Sequence, residues 1–378
     1  MNTFLQIHFL TGFSGVLLNR DENGFAKRLP VGGTSRIRVS SQSLKRHWRT
    51  ADDQWALKMI GAPMSTRSRQ IIEEHVLPEV QDIGDDVVIE SIRVAMSKVI
   101  YGKKGAEKKD RQALLLGKPE IDYLIKIAKE AAAAAVAAVD AKSADAAIEQ
   151  IINEHKASLK IVSDSAGKIS YGLESALFGR MVTSDTQANT DAAIHVAHAF
   201  TVAGEEAETD YFTVVDDLES GSGSGGIFET ELTSGLFYGY VVVDTRKLIE
   251  NLGGDKELAG KVVEHLIHLI ATVSPGAKLG STAPYGYADL VLIEAGQRQP
   301  RSLANAFRVA IGNSADHDDH LSDAIDALES HLDSIDRVYG QHEKRSMINL
   351  AGRKFGGVEA LVDLDTLASD AAKIVASA

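Results

Sequence analysis

The stretch TFLQIHFL, residues 3–10, sets Leu5, Ile7 and Phe9 on one side at period two, which predicts an opening β-strand at the centre of a sheet. A loop marked by Gly12, Gly15, Asn19-Arg20-Asp21 and Gly32-Gly33 follows, and Arg36-Ile37-Arg38-Val39 alternates charge with apolar bulk as a short strand. Ser40 or Ser41 is placed to cap the next helix, SQSLKRHWRTAD (41–52), where Leu44 and Trp48 stand four apart on the buried side. Strand patterns return in AIHVAHAFTV (193–202), LFYGYVVVDTRKL (236–248) and ADLVLIEA (288–295), with an amphipathic helix over Lys261–Val273 before the last. YFTVVDDL (211–218) and IFETEL (227–232) flank SGSGSGG, the mark of a long hairpin with a flexible tip. The order matches a βαββαβ ferredoxin-like unit, an α+β class used by many RNA-binding modules. It is interrupted between residues 61 and 180 by a long helical, alanine-rich and lysine-bearing insertion, in which AAAAAVAAVDAKSADAAIEQII (131–152) reads as one helix. The segments are therefore 1–60, the insertion 61–180, a strand and hairpin over 181–233, and 234–378 ending in a helical region.

The 378 residues, 44% hydrophobic and 25% charged, have ordinary globular composition, which excludes a disordered or fibrous chain. There is no cysteine, so disulfides, thiolate metal sites and cysteine nucleophiles are all absent, which fits the cytoplasm. The N-terminus lacks a signal-peptide pattern and no run of about 18 apolar residues occurs, so no membrane partner is expected.

A net charge of −13 argues against a polyanionic partner until its distribution is considered. From Lys27 to Arg49 there are seven basic residues (Lys27, Arg28, Arg36, Arg38, Lys45, Arg46, Arg49) and no acidic one, whereas Asp316 to Arg337 carries eight acids against one arginine. This segregation suits a protein that holds a polyanion on one side and avoids it on the other. At the start of the 41–52 helix the free N–H groups and the macrodipole attract a phosphate, with Ser40, Gln42 and Lys45 within reach. Arg46 and Arg49 extend the charge along the helix, and Arg20 and Lys27 close over it from the loop.

Several segments carry a family likeness: LNRD (18–21), RIRVSSQSLKRHWR (36–49), GRMVTSDT (179–186), DYFTVVDDL (210–218), SGLFYGY (234–240), PGAKLGSTAPY (275–285) and SLANAF (302–307). Together they resemble the CasC family, the backbone subunit of type I-E CRISPR Cascade. The resemblance implies an RRM-like palm, a helical fingers insertion and a β-hairpin thumb, with copies polymerising head to tail along a CRISPR guide RNA. It implies that the basic helix grips the guide backbone. Met181 beside Arg180 then acts as an apolar wedge, and Phe212 and Thr213 of a neighbouring copy's thumb displace one nucleotide at intervals. Wedging a base costs a few kcal/mol of unstacking and leaves its neighbours presented for pairing with target DNA. On such fingers, Lys103, Lys104, Lys108 and Lys109 become a sequence-independent contact to the target duplex. The implied partners also include the large subunit, the small subunit, the 5′-handle subunit and the guide-processing endoribonuclease.

The resemblance implies no catalysis, and no cofactor or metal is expected. His265 and His268 stand three apart on a helix without a third ligand, and His195 and His198 cannot share a strand face. Asp316-His317-Asp318-Asp319-His320 reads as an acidic solvated loop or helix start, and Gly221–Gly226 as a hairpin tip without the lysine and helix of a phosphate loop. The alternative is a metal-dependent ribonuclease subunit of a type III-like complex, in which Asp21 beside Glu22 would supply the carboxylates.

Overall fold

The computed structural model describes residues 4–102, 104–155, 171–180, 189–215, 224–312 and 319–378. The chain divides into two compact units: one of residues 1–59, 194–246 and 256–378, the other of 60–193 and 247–255.

The first unit is built on a nine-stranded mixed-order sheet in which every strand pair is antiparallel. Its strands are β1 (Phe4–Val16), β2 (Arg28–Val31), β3 (Thr34–Val39), β6 (Ile194–Val196), β7 (Ala199–Thr201), β8 (Glu206–Val215), β9 (Ser224–Asp244), β10 (Leu290–Gly296) and β11 (Lys344–Asn349). The spatial order is β11-β10-β1-β9-β7-β3-β2, with β6 and β8 also pairing with β9. β1 lies between β10 and β9 and from Leu5 to Thr11 is buried on both faces, Gln6 and His8 included. On one face Phe9 meets Leu44 and Trp48 of α1 (Ser41–Thr50) and Ile270 of α7 (Lys256–Thr272). On the other, Leu10, Tyr238 and Leu292 pack with Ala324, Ile325, Leu328 and Leu332 of α9 (His320–Tyr339). α10 (Leu364–Ala376) packs on α7, and the short α8 (Leu279–Thr282) lies in the loop after α7.

Two glycines are steric requirements. A Cβ on Gly239, paired with Phe9 across β1 and β9, would sit 2.0 Å from the Phe9 ring. In the β2–β3 turn, Gly32 and Gly33 have φ of 60° and 80°, as a tight hairpin turn needs, and a Cβ on Gly32 would overlap the Arg308 carbonyl at 1.6 Å.

Two elements differ from the sequence reading. IFETEL and LFYGYVVVD are a single 21-residue strand, β9, so one strand is both hairpin arm and sheet member. The alanine-rich run breaks into α3 (Lys118–Val136) and α4 (Ala141–His155), because Asp140 caps the second helix by accepting the Ser143 N–H at 2.8 Å.

The second unit packs α2 (Asp86–Tyr101), α3 and α4 around Ile92, Leu124, Ile127, Ile148 and Ile152. It also holds the two-stranded β4 (Ser65–Ser68) and β5 (Leu114–Gly117), the short α5 (Leu173–Phe178), and most of α6 (Thr245–Asn251). No helix of the described residues is long and apolar enough to cross a membrane.

A buried polar network crosses the first unit's sheet. His8 Nδ1 bonds the Tyr238 hydroxyl at 2.9 Å, and His8 Nε2 bonds Glu294 at 3.1 Å. Glu294 also accepts from Arg301 (2.6 and 2.8 Å) and from Arg345 Nε (2.7 Å), and Arg345 grips Asp336 of α9. Burial lowers the His8 pKa; for Glu294 burial alone would raise it, but hydrogen bonds from Arg301 and His8 outweigh that and hold it well below the usual carboxylate range. Both groups thus bind protons more readily in the unfolded chain, so stability is lost as pH falls. His8 contributes the loss that begins below the unfolded value of 6.5; that of Glu294 begins below 4.5. The melting temperature of this unit is therefore expected to fall from pH 7 to pH 5, and His8→Gln to flatten that decline. An equal slope in parent and variant would show that other groups carry it.

Candidate nucleic-acid interface

Helix α1 begins with its donors accounted for in an orderly way. Ser40 is the N-cap, its Oγ accepting the Ser43 N–H at 3.2 Å, while its own N–H donates to Asn19 Oδ1 at 2.9 Å. The Ser41 N–H donates to His198 Nδ1 at 3.2 Å. No acid occupies the first turn of the helix itself, so none of its own residues offsets its positive end. An open groove of about 650 Å³ runs past this end, walled by Arg20, Ser40, Gln42, Ser43 and Arg46, the Asn19–Glu22 segment, and Gly276 with Ala277.

Arg20, Gln42 and Arg46 are exposed, whereas Lys27, Arg38, Lys45 and Arg49 are half-buried. Gln42 and Arg46, four apart, therefore form the outward stripe of α1, opposite the buried Leu44 and Trp48. Arg20, Lys27 and Arg46 form no ion pair among the described residues. Arg38 donates to the Arg28 carbonyl at 3.2 Å and lies 3.4 Å from His198. Burial, then the charges of Arg38, Lys27 and Lys45, hold the His198 pKa below its ordinary value. His198 is a member of the cluster that sequence reasoning missed. The sequence places it within the strand pattern 193–202, where nothing says that α1 begins beside it.

Two arginines leave the proposed surface. Arg36 is fully buried, its guanidinium donating to the carbonyls of Thr201, Val202, Ala203 and Phe307, so it ties β3 to its surroundings and is closed to a ligand. Arg180, in the second unit, is buried against Glu120 at 2.6 and 2.8 Å, with its guanidinium 4.2 Å from the Tyr171 ring centroid. Met181 lies outside the described residues, as do Lys103, Asp316, His317, Asp318 and Gly221–Gly223.

The acids at the groove are partly committed. Asp21 Oδ1 accepts the N–H groups of Asn23 (2.9 Å) and Phe25 (3.0 Å), which folds the loop back on itself. Arg28 then clamps that loop to the hairpin base, pairing with Glu205 at 2.5 Å and with Glu231. No group of three or more His, Asp or Glu residues arranged to hold a metal occurs among the described residues. Asp319 caps α9, and His265 and His268 pack against Trp55, His268 stacked on its ring at 3.5 Å.

On the hairpin, Phe212 and Thr213 are exposed. Phe212 stacks on Phe228 across the strands, ring centroids 5.6 Å apart, and Lys278 Nζ lies 5.8 Å from the Phe212 centroid while donating to Thr230. In the second unit Lys104, Lys108 and Lys109 are exposed on one loop. Lys108 donates to Gln70 at 2.6 Å and Lys109 pairs with Glu107 at 2.9 Å. Buried Arg111 braces this loop by bonding the Gly105 carbonyl and Glu73.

The model of the family described as CT1975-like protein matches residues 5–370. Among solved structures, a chain of a "CRISPR RNA-guided surveillance complex, pre-nicking" is similar with a TM-score of 0.72 and 26% identity, over 97% of this chain and all of that one. A chain of another "CRISPR RNA-guided surveillance complex" shares the fold at a TM-score of 0.58 and 22% identity, over 97% of this chain and 99% of that one. No curated protein matches the chain.

Proposed function

We propose, for a chain that belongs to the CT1975-like protein family, the role of a guide-RNA-binding backbone subunit of a Cascade-type CRISPR complex, of the type I-E CasC kind. The observation that carries the reading is the groove at the α1 N-terminus, with Arg20 and Arg46 exposed and without ion-pair partners among the described residues. Likeness along nearly the whole chain to a member of an RNA-guided complex supports it. The sub-order β10-β1-β9-β7, with α1 and α7 on one face, supports a ferredoxin-like palm. The second unit is the fingers and the β8–β9 hairpin the thumb.

In this role the protein grips phosphates through Gln42, Arg20, Arg46 and the half-buried Lys45, Arg49, Arg38 and Lys27. Such contacts fix the register of the RNA and read no bases, leaving sequence recognition to pairing. Phe212 and Thr213 of one copy reach the guide on the next and unstack a nucleotide, with Met181 as the facing wedge. Lys104, Lys108 and Lys109, with Lys103, contact target DNA through charge alone. The role is non-catalytic and cytoplasmic, with the guide RNA, neighbouring copies and the other Cascade subunits as partners. Asp21, turned into its own loop, gives the ribonuclease reading no support.

The test is the RNA that copurifies with the assembled complex. A single uniform length is expected, with chemical reactivity that rises periodically along it. Phe212→Ala should blur the period while each chain keeps its circular dichroism. RNA of random lengths would overturn the assignment; unchanged periodicity in Phe212→Ala would remove only the hairpin's part in it.

A further inference from the structure

We propose that the loop from Ser274 to Ala288 is a second contact for single-stranded RNA, in which Tyr285 and Tyr287 present their rings as stacking surfaces for unpaired bases. The inference rests on the RNA reading of the α1 groove. The loop starts as a wall of that groove, through Gly276 and Ala277. There the Ala277 N–H donates to the Leu17 carbonyl at 2.9 Å, and that of Gly276 to His47 Nε2 at 3.4 Å. The loop is then pinned across its neck: Ser274 Oγ donates to the Gly286 carbonyl at 2.9 Å and accepts the Gly286 N–H at 3.0 Å, and the Ala288 N–H reaches the Ala271 carbonyl at 2.7 Å. Gly286 lies so close to β1 that a Cβ there would be 3.1 Å from the Gly12 carbonyl.

On either side of this pinned glycine, Tyr285 and Tyr287 are 77% and 73% exposed. Neither hydroxyl has a hydrogen-bond partner among the described residues, whereas Tyr238 and Tyr240 in the sheet are both bonded. Two large rings held in water by a braced loop are preorganised for a flat partner. The sequence from Ser274 to Ala288 contains Lys278 and no acid, so nothing in it repels a phosphate. Aromatic rings that supplement phosphate contacts are how single strands are bound without sequence preference, since every base has a face to stack. Continuity with the groove and this tolerance favour an RNA base over a second copy of the chain as the occupant.

The experiment measures binding of the whole protein to a labelled eight-nucleotide oligoadenylate, too short to organise several copies, over a range of salt. Tyr285→Leu/Tyr287→Leu should weaken binding about tenfold per tyrosine, from the usual strength of base–aromatic stacking. The salt slope should stay unchanged because no charge is removed. Tyr285→Phe/Tyr287→Phe should bind as the parent does, and the single leucine variants should each show part of the loss. Arg46→Glu should lower both affinity and slope. Parent-like binding by the leucine pair while Arg46→Glu binds weakly would overturn the stacking surface and spare the groove. Parent-like binding by Arg46→Glu would instead remove the groove reading on which it rests. If the leucine pair changes only the number of copies assembled on long RNA, the tyrosines are a contact between copies and the proposal falls.

Discussion

Arg20→Glu together with Arg46→Glu is expected to abolish retention of guide RNA by an otherwise folded protein. Both side chains are exposed at the groove and neither is held by an acid among the described residues, so their reversal breaks no internal ion pair. Arg46 lies on α1 away from the Leu44 and Trp48 face, and Arg20 sits in a loop fastened by Asp21 and by the backbone bridge of Arg20 with Ala26. A charged hydrogen bond contributes about 1.5–3 kcal/mol, so losing two predicts a fall of roughly 100- to 10,000-fold in affinity. Each phosphate contact on a single strand contributes about 0.7 to the salt slope, so the slope should drop by about 1.4. The measurement is filter binding of a guide-length RNA over a salt series, with circular dichroism as the control for folding. Affinity within about threefold of the parent would place the phosphates elsewhere.

The second large effect is on stability. Glu294→Gln leaves Arg301 and Arg345 facing a neutral amide where the buried carboxylate had accepted from both and from His8. Removing one partner of a buried ionic cluster costs about 3–5 kcal/mol, because the remaining charge stays desolvated. For a unit of this size that is roughly a 10 °C fall in melting temperature. Calorimetry would check it, and a fall under about 3 °C would mean that water or Asp336 compensates the two arginines. Guide binding by the surviving folded fraction should be unaffected, since none of these residues lines the groove.

That network marks where sequence reading stopped. The alternation of TFLQIHFL shows that a strand forms and that Leu5, Ile7 and Phe9 face a core. It also makes Gln6 and His8 look solvent-facing, because polar residues at alternate positions do so when one face of a sheet is wet. Their partners are Tyr238 and Tyr240 on β9, Glu294 on β10 and Arg301 in the loop after β10, hundreds of residues away, and only the closed sheet brings them together. Arg36 misleads for the same reason: in Arg36-Ile37-Arg38-Val39 it reads like Arg38, yet four carbonyls from two remote segments enclose it. Local signals fared differently. A serine cap at Ser40 or Ser41 and Leu44 with Trp48 as the inward pair follow from spacing within one helix, and the structure has the inward pair and makes the cap Ser40. The lack of acids from Lys27 to Arg49 announces a cationic surface, but which cations stay exposed depends on tertiary packing.

The undivided strand β9 sets a rule for how this chain can change over generations. Its side chains alternate without interruption from Phe228, which stacks on Phe212 in the hairpin, to Gly239, which makes room for Phe9 in the sheet. Gaining or losing one residue between them would turn one end over relative to the other, exchanging inward for outward faces. Changes in arm length are thus quantised: matched pairs of residues on β8 and β9 preserve both ends.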